Sequence, residues 1–191
     1  MDGADCLGSG KMEFTNINYQ EKMSESDTHV YFLNGPFSQW YPSNFKGRIG
    51  EHWWDFHCAE QYMMAHKAHL FGDYSTFDAI MATVQKKDWR EAPKICKNLG
   101  RQVLNFELDV WNAHAIDIVF RGNIYKFSDN DVLAKRLTDT GEKILVEGAH
   151  YDPIWGVGLA WNNPAILDEN NWKGTNWLGE ILMKVRESIN G

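Results

Sequence analysis

A glutamate and a lysine seven residues apart, Glu60 and Lys67, are the side chains whose types and spacing best suit catalysis. They lie in residues 58–71, which the composition and the glycine that follows indicate as a helix. Side chains seven positions apart share one helix face, and Met63 and Met64 make that face largely apolar. An acid and an amine on such a face can perturb each other's pKa values, as catalysis requires. The alternative is that one or both point to water and form a solvated pair.

The segment 152–179 is the second region whose composition suggests chemistry. It holds four tryptophans, four glycines and five asparagines, and it has neither helical nor strand periodicity. Because disordered segments are poor in aromatic residues, we expect an ordered loop that presents rings and amides to a flat polar ligand, such as a nucleobase or a sugar. The alternative is that its tryptophans only cap the core; they are Trp155, Trp161, Trp172 and Trp177.

Two smaller groups of polar residues could also contact a ligand. Glu147 and Asp152 flank the turn after the apolar run 143–147 and could hold ribose hydroxyls or the edge of a base. An aspartate before proline also favours a plain turn, so turn formation is the alternative. Asn44 and Phe45 could offer an amide and a ring to a base, or they could form only an Asx turn.

Composition and charge exclude several classes of protein. The net charge of −7 argues against tight nonspecific binding to duplex nucleic acid, although it leaves room for a local basic pocket. Three widely spaced cysteines, Cys6, Cys58 and Cys96, indicate a reduced, cytoplasmic protein in which Cys58 and Cys96 are small core residues. Because the sequence shows no secretory signal and no run of ~18 apolar residues, we expect no membrane partner.

Seven histidines raise the question of a metal site. None of their spacings matches a zinc signature, and the sequence has no HExxH and no paired CxxC motif. It also lacks a P-loop, a GxGxxG motif after a strand and a GxSxG motif. We therefore expect a reaction that needs no metal ion and no cofactor, and that survives exhaustive chelation.

The elements that must position these groups can be outlined from hydrophobic periodicity and turn residues. Residues 1–28 are polar and predict a flexible N-terminal tail, whereas residues 29–191 predict one domain. Strands are expected at 29–33 and 143–147, and residues 48–56 are expected to form a second strand or a hairpin. Helices are expected at 58–71, 77–84, 93–99, 108–122, 130–137 and 178–189, the last capped by Asn176. This order predicts an α+β fold, mostly helical, around a small sheet.

Eight short motifs, taken in order along the chain, resemble those of the NADAR family, also called YbiA-like proteins. They are SNF at 43–45, AEQYMMAHK at 59–67, GR at 100–101, the Trp111 helix leading to Lys126 and Phe127, LVE at 145–147, DPIWGVG at 152–158, KGTNWLG at 173–179 and LMKVR at 182–186. Each motif alone is weak, but eight in the family's order, spread over residues 31–189, are hard to obtain by chance.

The resemblance implies an N-glycosidase with a YbiA-like fold and one of two substrate classes. One class is ADP-ribose attached to guanine, in nucleotides or in nucleic acid such as single-stranded DNA or RNA. The other is the ribosylaminopyrimidine phosphates of riboflavin synthesis. The family's glutamate and lysine fall on Glu60 and Lys67, and its W-G and G-x-N-x-L-G elements fall on Trp155-Gly156 and on residues 174–179, which include Asn176. An insertion at 159–172 is expected where the substrate would be gripped.

Both implied substrates carry the sugar on an exocyclic amine, and such glycosylamines can ring-open to an imine. Glu60 would then move protons while Lys67 exchanges into a Schiff base. The alternative is direct attack by a water that Glu60 activates, with Lys67 only positioning charge. The remaining candidate binding residues are Arg101, Lys126 and Lys173 for phosphate, and Phe45 and Trp155 for the base or ribose. Trp111 is a further candidate for substrate binding.

Two rival functions would use the same residues differently. A non-catalytic reader of ADP-ribose would need Glu60 and Lys67 for binding and would release no product. A carbohydrate-binding surface would instead expose coplanar tryptophans and would be indifferent to Glu60.

Overall fold

Residues 20–190 are described by the computed structural model, and they form five strands and six α-helices. The strands are β1 Met23–Glu25, β2 His29–Phe32, β3 Phe45–Ile49, β4 His52–Phe56 and β5 Ile144–Glu147. The helices are α1 Ala59–Leu70, α2 Tyr74–Met81, α3 Glu91–Gly100, α4 Leu108–Ser128, α5 Asp131–Thr138 and α6 Trp177–Asn190. Two 3₁₀ turns, Pro164–Leu167 and Glu169–Asn171, lie between β5 and α6. The predicted α+β, mostly helical architecture is confirmed.

A mixed three-stranded sheet and a separate hairpin make up the strand content. In the sheet, β2 pairs antiparallel with β1 and parallel with β5, while β3 and β4 form the predicted hairpin. Strand β1 lies inside the segment predicted as a flexible tail, so ordered structure begins before residue 29. Its three residues are too few to show the alternation that marks a strand. The rest of that predicted tail, residues 1–19, lies outside the described residues.

Helix α1 lies at the centre of the fold, packed against α2, α3 and α4. Its fully buried Tyr62 meets the ring of Phe56 edge-on, with 5.1 Å between centroids. A Cβ at Gly122 would lie 2.5 Å from Cδ1 of Tyr62, so this glycine lets α4 approach α1 closely. The sequence predicts the end of a helix near residue 122, whereas α4 continues to Ser128, because Gly122 serves this close approach rather than a helix end.

The insertion at 159–172 covers one face of the three-stranded sheet. Its Leu159 and Ile166 pack with Tyr31 in an apolar cluster separate from the main core. The indole of Trp172 donates a hydrogen bond to the carbonyl of Ile166 at 2.9 Å, and the backbone N–H of Trp161 donates to a carbonyl at the end of β5. In residues 159–172, the tryptophan-rich loop therefore covers a core, which was the alternative to ligand binding.

Candidate active site

An open cleft of about 990 Å³ lies where α1, α3, the end of β5 and the loop after it come together. Helix α1 contributes Glu60, Met63, Met64 and Lys67, which form the helix face that the spacing predicts. Seven of the predicted site residues line this cleft, although they come from distant parts of the chain: Glu60, Lys67, Arg101, Trp111, Glu147, Asp152 and Trp155.

Glu60 lies in the first turn of α1 and is 5% exposed. Burial raises the pKa of its carboxyl to about 7, against the opposing influence of Lys97 and of a hydrogen bond from the Trp40 side chain, while the charge of Asp152 adds to the increase. The backbone N–H of Glu60 donates to the carbonyl of Gln39 at 2.9 Å, which ties the loop that carries Trp40 to the helix. A carboxyl with this pKa can accept and donate protons near neutral pH.

Glu147 and Asp152 bring two more carboxyls to the same cleft. Burial, followed by the charge of Asp152, raises the pKa of Glu147 to about 8, and the charge of Glu60 contributes in the same direction. Parts of Glu147 remain accessible, but its Oε2 is enclosed and has no hydrogen-bond partner within residues 20–190. Three carboxyls thus share one cleft, and two of them, Glu60 and Glu147, exchange protons in the neutral range.

Asp152 also fixes the loop that carries Trp155. Its Oδ1 accepts hydrogen bonds from the backbone N–H groups of Ile154 at 3.1 Å and Trp155 at 2.9 Å, which closes an Asx turn. The ring of Trp155 then meets Trp177 edge-on at 5.7 Å between centroids. Asp152 therefore forms the turn that was the alternative to ligand binding. The same turn places Trp155 at the cleft.

Lys67 lies on the same face of α1 as Glu60, seven residues further along the helix. Its Nζ donates to the carbonyl of Gly100 at 2.9 Å and lies 4.1 Å from the ring centroid of Phe106 and 5.5 Å from that of Trp111. Burial lowers the pKa of Lys67. The cationic charge with the largest effect on Glu60 is that of Lys97, so the two predicted catalytic groups owe their shifts mainly to burial rather than to each other.

The cationic side of the cleft comes from α3 and the residue that follows it. Lys94, Lys97 and Arg101 occupy positions i, i+3 and i+7, so they share one face of the helix, and all three line the cleft. Nζ of Lys97 lies 5.8 Å from the Trp40 ring. Sequence reasoning identified Arg101 but missed Lys94, Lys97 and Trp40. The spacing was visible, but it is equally typical of a solvated helix face.

Lys126 requires a correction, because the structure places it in the core rather than at a phosphate site. It is fully buried, and its Nζ donates to the carbonyls of Pro36 at 2.7 Å and Ser38 at 2.9 Å. Burial lowers the pKa of Lys126 to about 7. The side chain thus anchors the loop before Trp40 to α4, so its contribution to the cleft is indirect.

Phe45 and Asn44 also lie away from the cleft. Phe45 is 4% exposed and stacks on Phe56 within the core, with 5.6 Å between ring centroids, so it offers no face to a base. The carbonyl of Asn44 accepts a hydrogen bond from the side chain of Asn130, and its own side chain is not part of the cleft lining. These two positions are structural because the hairpin turns their motif towards α4.

Three residues of the glycine-rich motifs hold the loop together and are not part of the cleft lining. The buried Asn176 accepts from the Glu147 N–H at 3.0 Å and donates to the carbonyl of Leu145 at 2.9 Å, so it clamps the start of α6 to β5. A Cβ at Gly156 would lie 2.7 Å from the carbonyl oxygen of Glu147. Lys173 is exposed, bonds through its backbone N–H to the carbonyl of Val157, and lies outside the cleft lining.

The insertion at 159–172 also lies outside the cleft lining, which corrects the expectation that it grips the substrate. It packs instead on the sheet face opposite the main core, through Leu159 and Ile166. Of the four tryptophans in the loop, Trp155 alone lines the cleft.

Between residues 20 and 190, no three histidine, cysteine, aspartate or glutamate side chains come together as a metal site would require. Within the same range, no helix combines the length and apolar character needed to cross a bilayer.

The chain is similar to proteins of one family over almost its whole length. A family model described as NADAR domain matches residues 28–190. The chain is 45% identical over 174 residues to N-glycosidase R617 of Acanthamoeba polyphaga mimivirus, a match that covers 85% of this chain and 97% of that protein. It is 27% identical over 132 residues, 69% of this chain, to the chloroplastic riboflavin biosynthesis protein PYRR of Zea mays, of which the match covers 19%.

A solved structure shares the fold of this chain. The NMR structure of the E. coli protein YbiA superposes with a TM-score of 0.65 at 24% sequence identity, covering 87% of this chain and 88% of that one. This likeness concerns the fold, and the family match rests on the sequence. The resemblance read from the eight motifs is confirmed, and the chain belongs to the NADAR family.

Proposed function

We propose that this protein is an N-glycosidase that cleaves the bond between a phosphorylated ribose and an exocyclic amine of a base. ADP-ribose attached to guanine is the substrate that the cleft supports best. The observation that carries this proposal is the division of one cleft into proton-exchanging carboxyls, Glu60 and Glu147, and a row of cations on α3. The name of the 45% identical mimiviral relative, an N-glycosidase, supports the reaction class.

The choice between the two substrate classes rests on size and charge. A volume of about 990 Å³ lies at the upper end of the roughly 300–1,000 Å³ range of small-molecule pockets, which suits a ligand as long as ADP-ribose. Lys94, Lys97 and Arg101 offer more cationic groups than one phosphate needs, and they match a diphosphate. Trp155 and Trp111 provide rings for the ribose or the base.

The cleft also suits the chemistry of a sugar on an exocyclic amine. Loss of the N–H proton and opening of the ribose ring give an imine at C1′, which the neutral amine of Lys67 can attack. The lowered pKa of Lys67 increases the fraction of that neutral amine. Attack by Lys67 expels the base as a free amine, and water then releases the sugar. Ordinary nucleosides and NAD carry no proton on the glycosidic nitrogen, so they cannot follow this route.

A second candidate substrate is a ribosylaminopyrimidine phosphate. The match to the Zea mays protein whose name places it in riboflavin biosynthesis favours this alternative. This substrate also carries its sugar on an exocyclic amine, so Glu60, Glu147 and Lys67 would act on it in the same way. Its single phosphate, however, would leave some of the cations Lys94, Lys97 and Arg101 without a partner.

A direct test is to incubate the protein with ADP-ribosylated guanosine and, in parallel, with a ribosylaminopyrimidine phosphate, and to separate the products by chromatography. We expect free ADP-ribose and guanosine from the first substrate, with NAD left intact as a control. Guanine-modified single-stranded DNA, tested in the same way, shows whether nucleic acid is also a substrate. Tight binding without products would contradict catalysis and identify a reader, while turnover of the pyrimidine alone would establish the second candidate.

A further inference from the structure

The backbone of Glu147 is fixed from both sides. Its N–H donates to Oδ1 of Asn176 at 3.0 Å, and its carbonyl oxygen accepts from the N–H groups of Ala149 and Val157, each at 3.0 Å. Because it is the last residue of β5, its side chain is carried by the sheet rather than by a mobile loop. The carboxyl is thus held at a set place in the cleft.

The surroundings of this carboxyl favour its protonated form. Its Oε2 is enclosed and finds no hydrogen-bond partner in the described part of the chain, and an unpaired buried carboxylate is unfavourable. The ionisable groups facing it are Glu60 from α1, Lys97 from α3, and Asp152 and Tyr151 from the following loop. Two of these are carboxyls, and their combined charge keeps a proton on Glu147 more effectively than Lys97 removes it.

Opening a glycosylamine ring requires two proton transfers at two different atoms. The exocyclic nitrogen must lose its proton as the C1′=N bond forms, and the ring oxygen must gain one as the C1′–O4′ bond breaks. One carboxyl cannot accept and donate at two atoms in the same step, whereas a pair in opposite protonation states can. Glu60 alone therefore leaves the ring oxygen without an acid.

We propose that Glu147 is the general acid that protonates the ribose ring oxygen while Glu60 accepts the proton of the exocyclic nitrogen. This inference rests on the proposed function. The protons balance over the cycle. The departing amine takes one proton back from Glu60 and a second from the attacking nitrogen of Lys67. The water that hydrolyses the Lys67 imine returns one proton to that nitrogen and gives the other to Glu60, which passes it to the C1′ oxygen when the ring recloses. Glu147 regains its own proton from the C4′ hydroxyl in that last step.

The first test is Glu147→Gln, which keeps the size and hydrogen-bonding capacity of the side chain but cannot donate a proton. We expect kcat on ADP-ribosylated guanosine to fall at least ~10²-fold, and the alkaline limb of the pH–rate profile to disappear. The matched control is Glu180→Gln on the exposed side of α6, which should leave both unchanged. Full kcat with an unaltered alkaline limb in Glu147→Gln would overturn the assignment.

A second variant separates acid catalysis from a structural role. Asp152→Asn retains an oxygen for the Asx turn but removes the charge that raises the pKa values of Glu60 and Glu147. Loss of that charge lowers both pKa values, so both limbs of the wild-type profile should move to lower pH. A pH–rate profile of Asp152→Asn that coincides with that of the wild type would contradict the assignment of Glu60 and Glu147 as an electrostatically coupled acid–base pair.

A third arm bypasses ring opening. Ribose 5-phosphate exposes its aldehyde spontaneously in water, so cyanoborohydride should trap it on Lys67 in Glu147→Gln as well as in the wild type. Loss of that adduct in the variant would mean that Glu147 only shapes the site, and would overturn the assignment. If the wild type cleaves no glycosylamine at all, the proposed function fails first, and this inference fails with it.

Discussion

The two sides of the cleft are built differently. The carboxyl side consists of the buried Glu60 and of Glu147, whose Oε2 is enclosed, and both have raised pKa values. The cationic side consists of a helix face on which Lys94 and Arg101 are exposed. Enclosed carboxyls lose solvation and exchange protons in the neutral range, whereas exposed cationic side chains attract anions. The comparison suggests that one side determines the rate of the chemical step and the other determines substrate affinity.

The largest effect is expected from the carboxyl side. Glu60→Gln should lower kcat by about 10²–10⁴-fold while leaving substrate binding and the melting temperature nearly unchanged, because Gln fills the same space without exchanging a proton. Steady-state kinetics and ligand binding by calorimetry measure the two effects separately. A variant that keeps close to full turnover would remove Glu60 from the mechanism.

A smaller effect is expected from Trp155, which lies at the cleft on the turn formed by Asp152. Trp155→Ala should weaken substrate binding by about 1–3 kcal/mol, the usual contribution of one base–aromatic stack. Trp161→Ala is the matched control, because Trp161 lies in the insertion that covers the sheet, and it should leave KM unchanged. Equal effects on KM at the two positions would show that the loop is only structural cover.

The cationic side should produce the smallest change, and it should appear in KM. Arg101→Ala removes one charged donor, and a charge-assisted hydrogen bond of about 1.5 kcal/mol corresponds to an increase in KM on the order of tenfold. Because Arg101 is exposed, the difference between wild type and variant should shrink at high salt. The control is Lys135→Ala on the exposed face of α5, away from the cleft. A decrease in kcat that does not depend on salt would contradict the idea that the cationic side determines affinity and the carboxyl side determines the rate.

The sequence predicted the centre of the site because its signals are local. Glu60 and Lys67 lie within one helix, where a spacing of seven determines their common face whatever surrounds them. The position of Glu147 at the end of an apolar strand was visible for the same reason. Local periodicity thus sufficed wherever a single element carries the functional groups.

The errors arose where contacts connect distant parts of the chain. The acceptors of Lys126 lie 88 and 90 residues away, so nothing near it in the sequence indicates that its ammonium is buried. The loop 152–179 has no periodicity by which to separate the half that lines the cleft from the insertion at 159–172 that covers Tyr31. The face of α3 with Lys94 and Lys97 becomes a wall of the cleft only once α3 packs on α1.

In the proposed mechanism, Lys67 attacks an opened glycosylamine in a cleft whose carboxyls move the protons. Borohydride added during turnover of ADP-ribosylated guanosine tests it most directly, through intact mass and peptide mapping. We expect a mass increase equal to the reduced sugar fragment, located on Lys67 and lost in Lys67→Arg, because Arg cannot act as a neutral amine. An active enzyme with no adduct, combined with partial activity in Lys67→Arg, would contradict it in favour of a water that Glu60 activates. An adduct on Lys97 would support Schiff-base chemistry but contradict its assignment to Lys67.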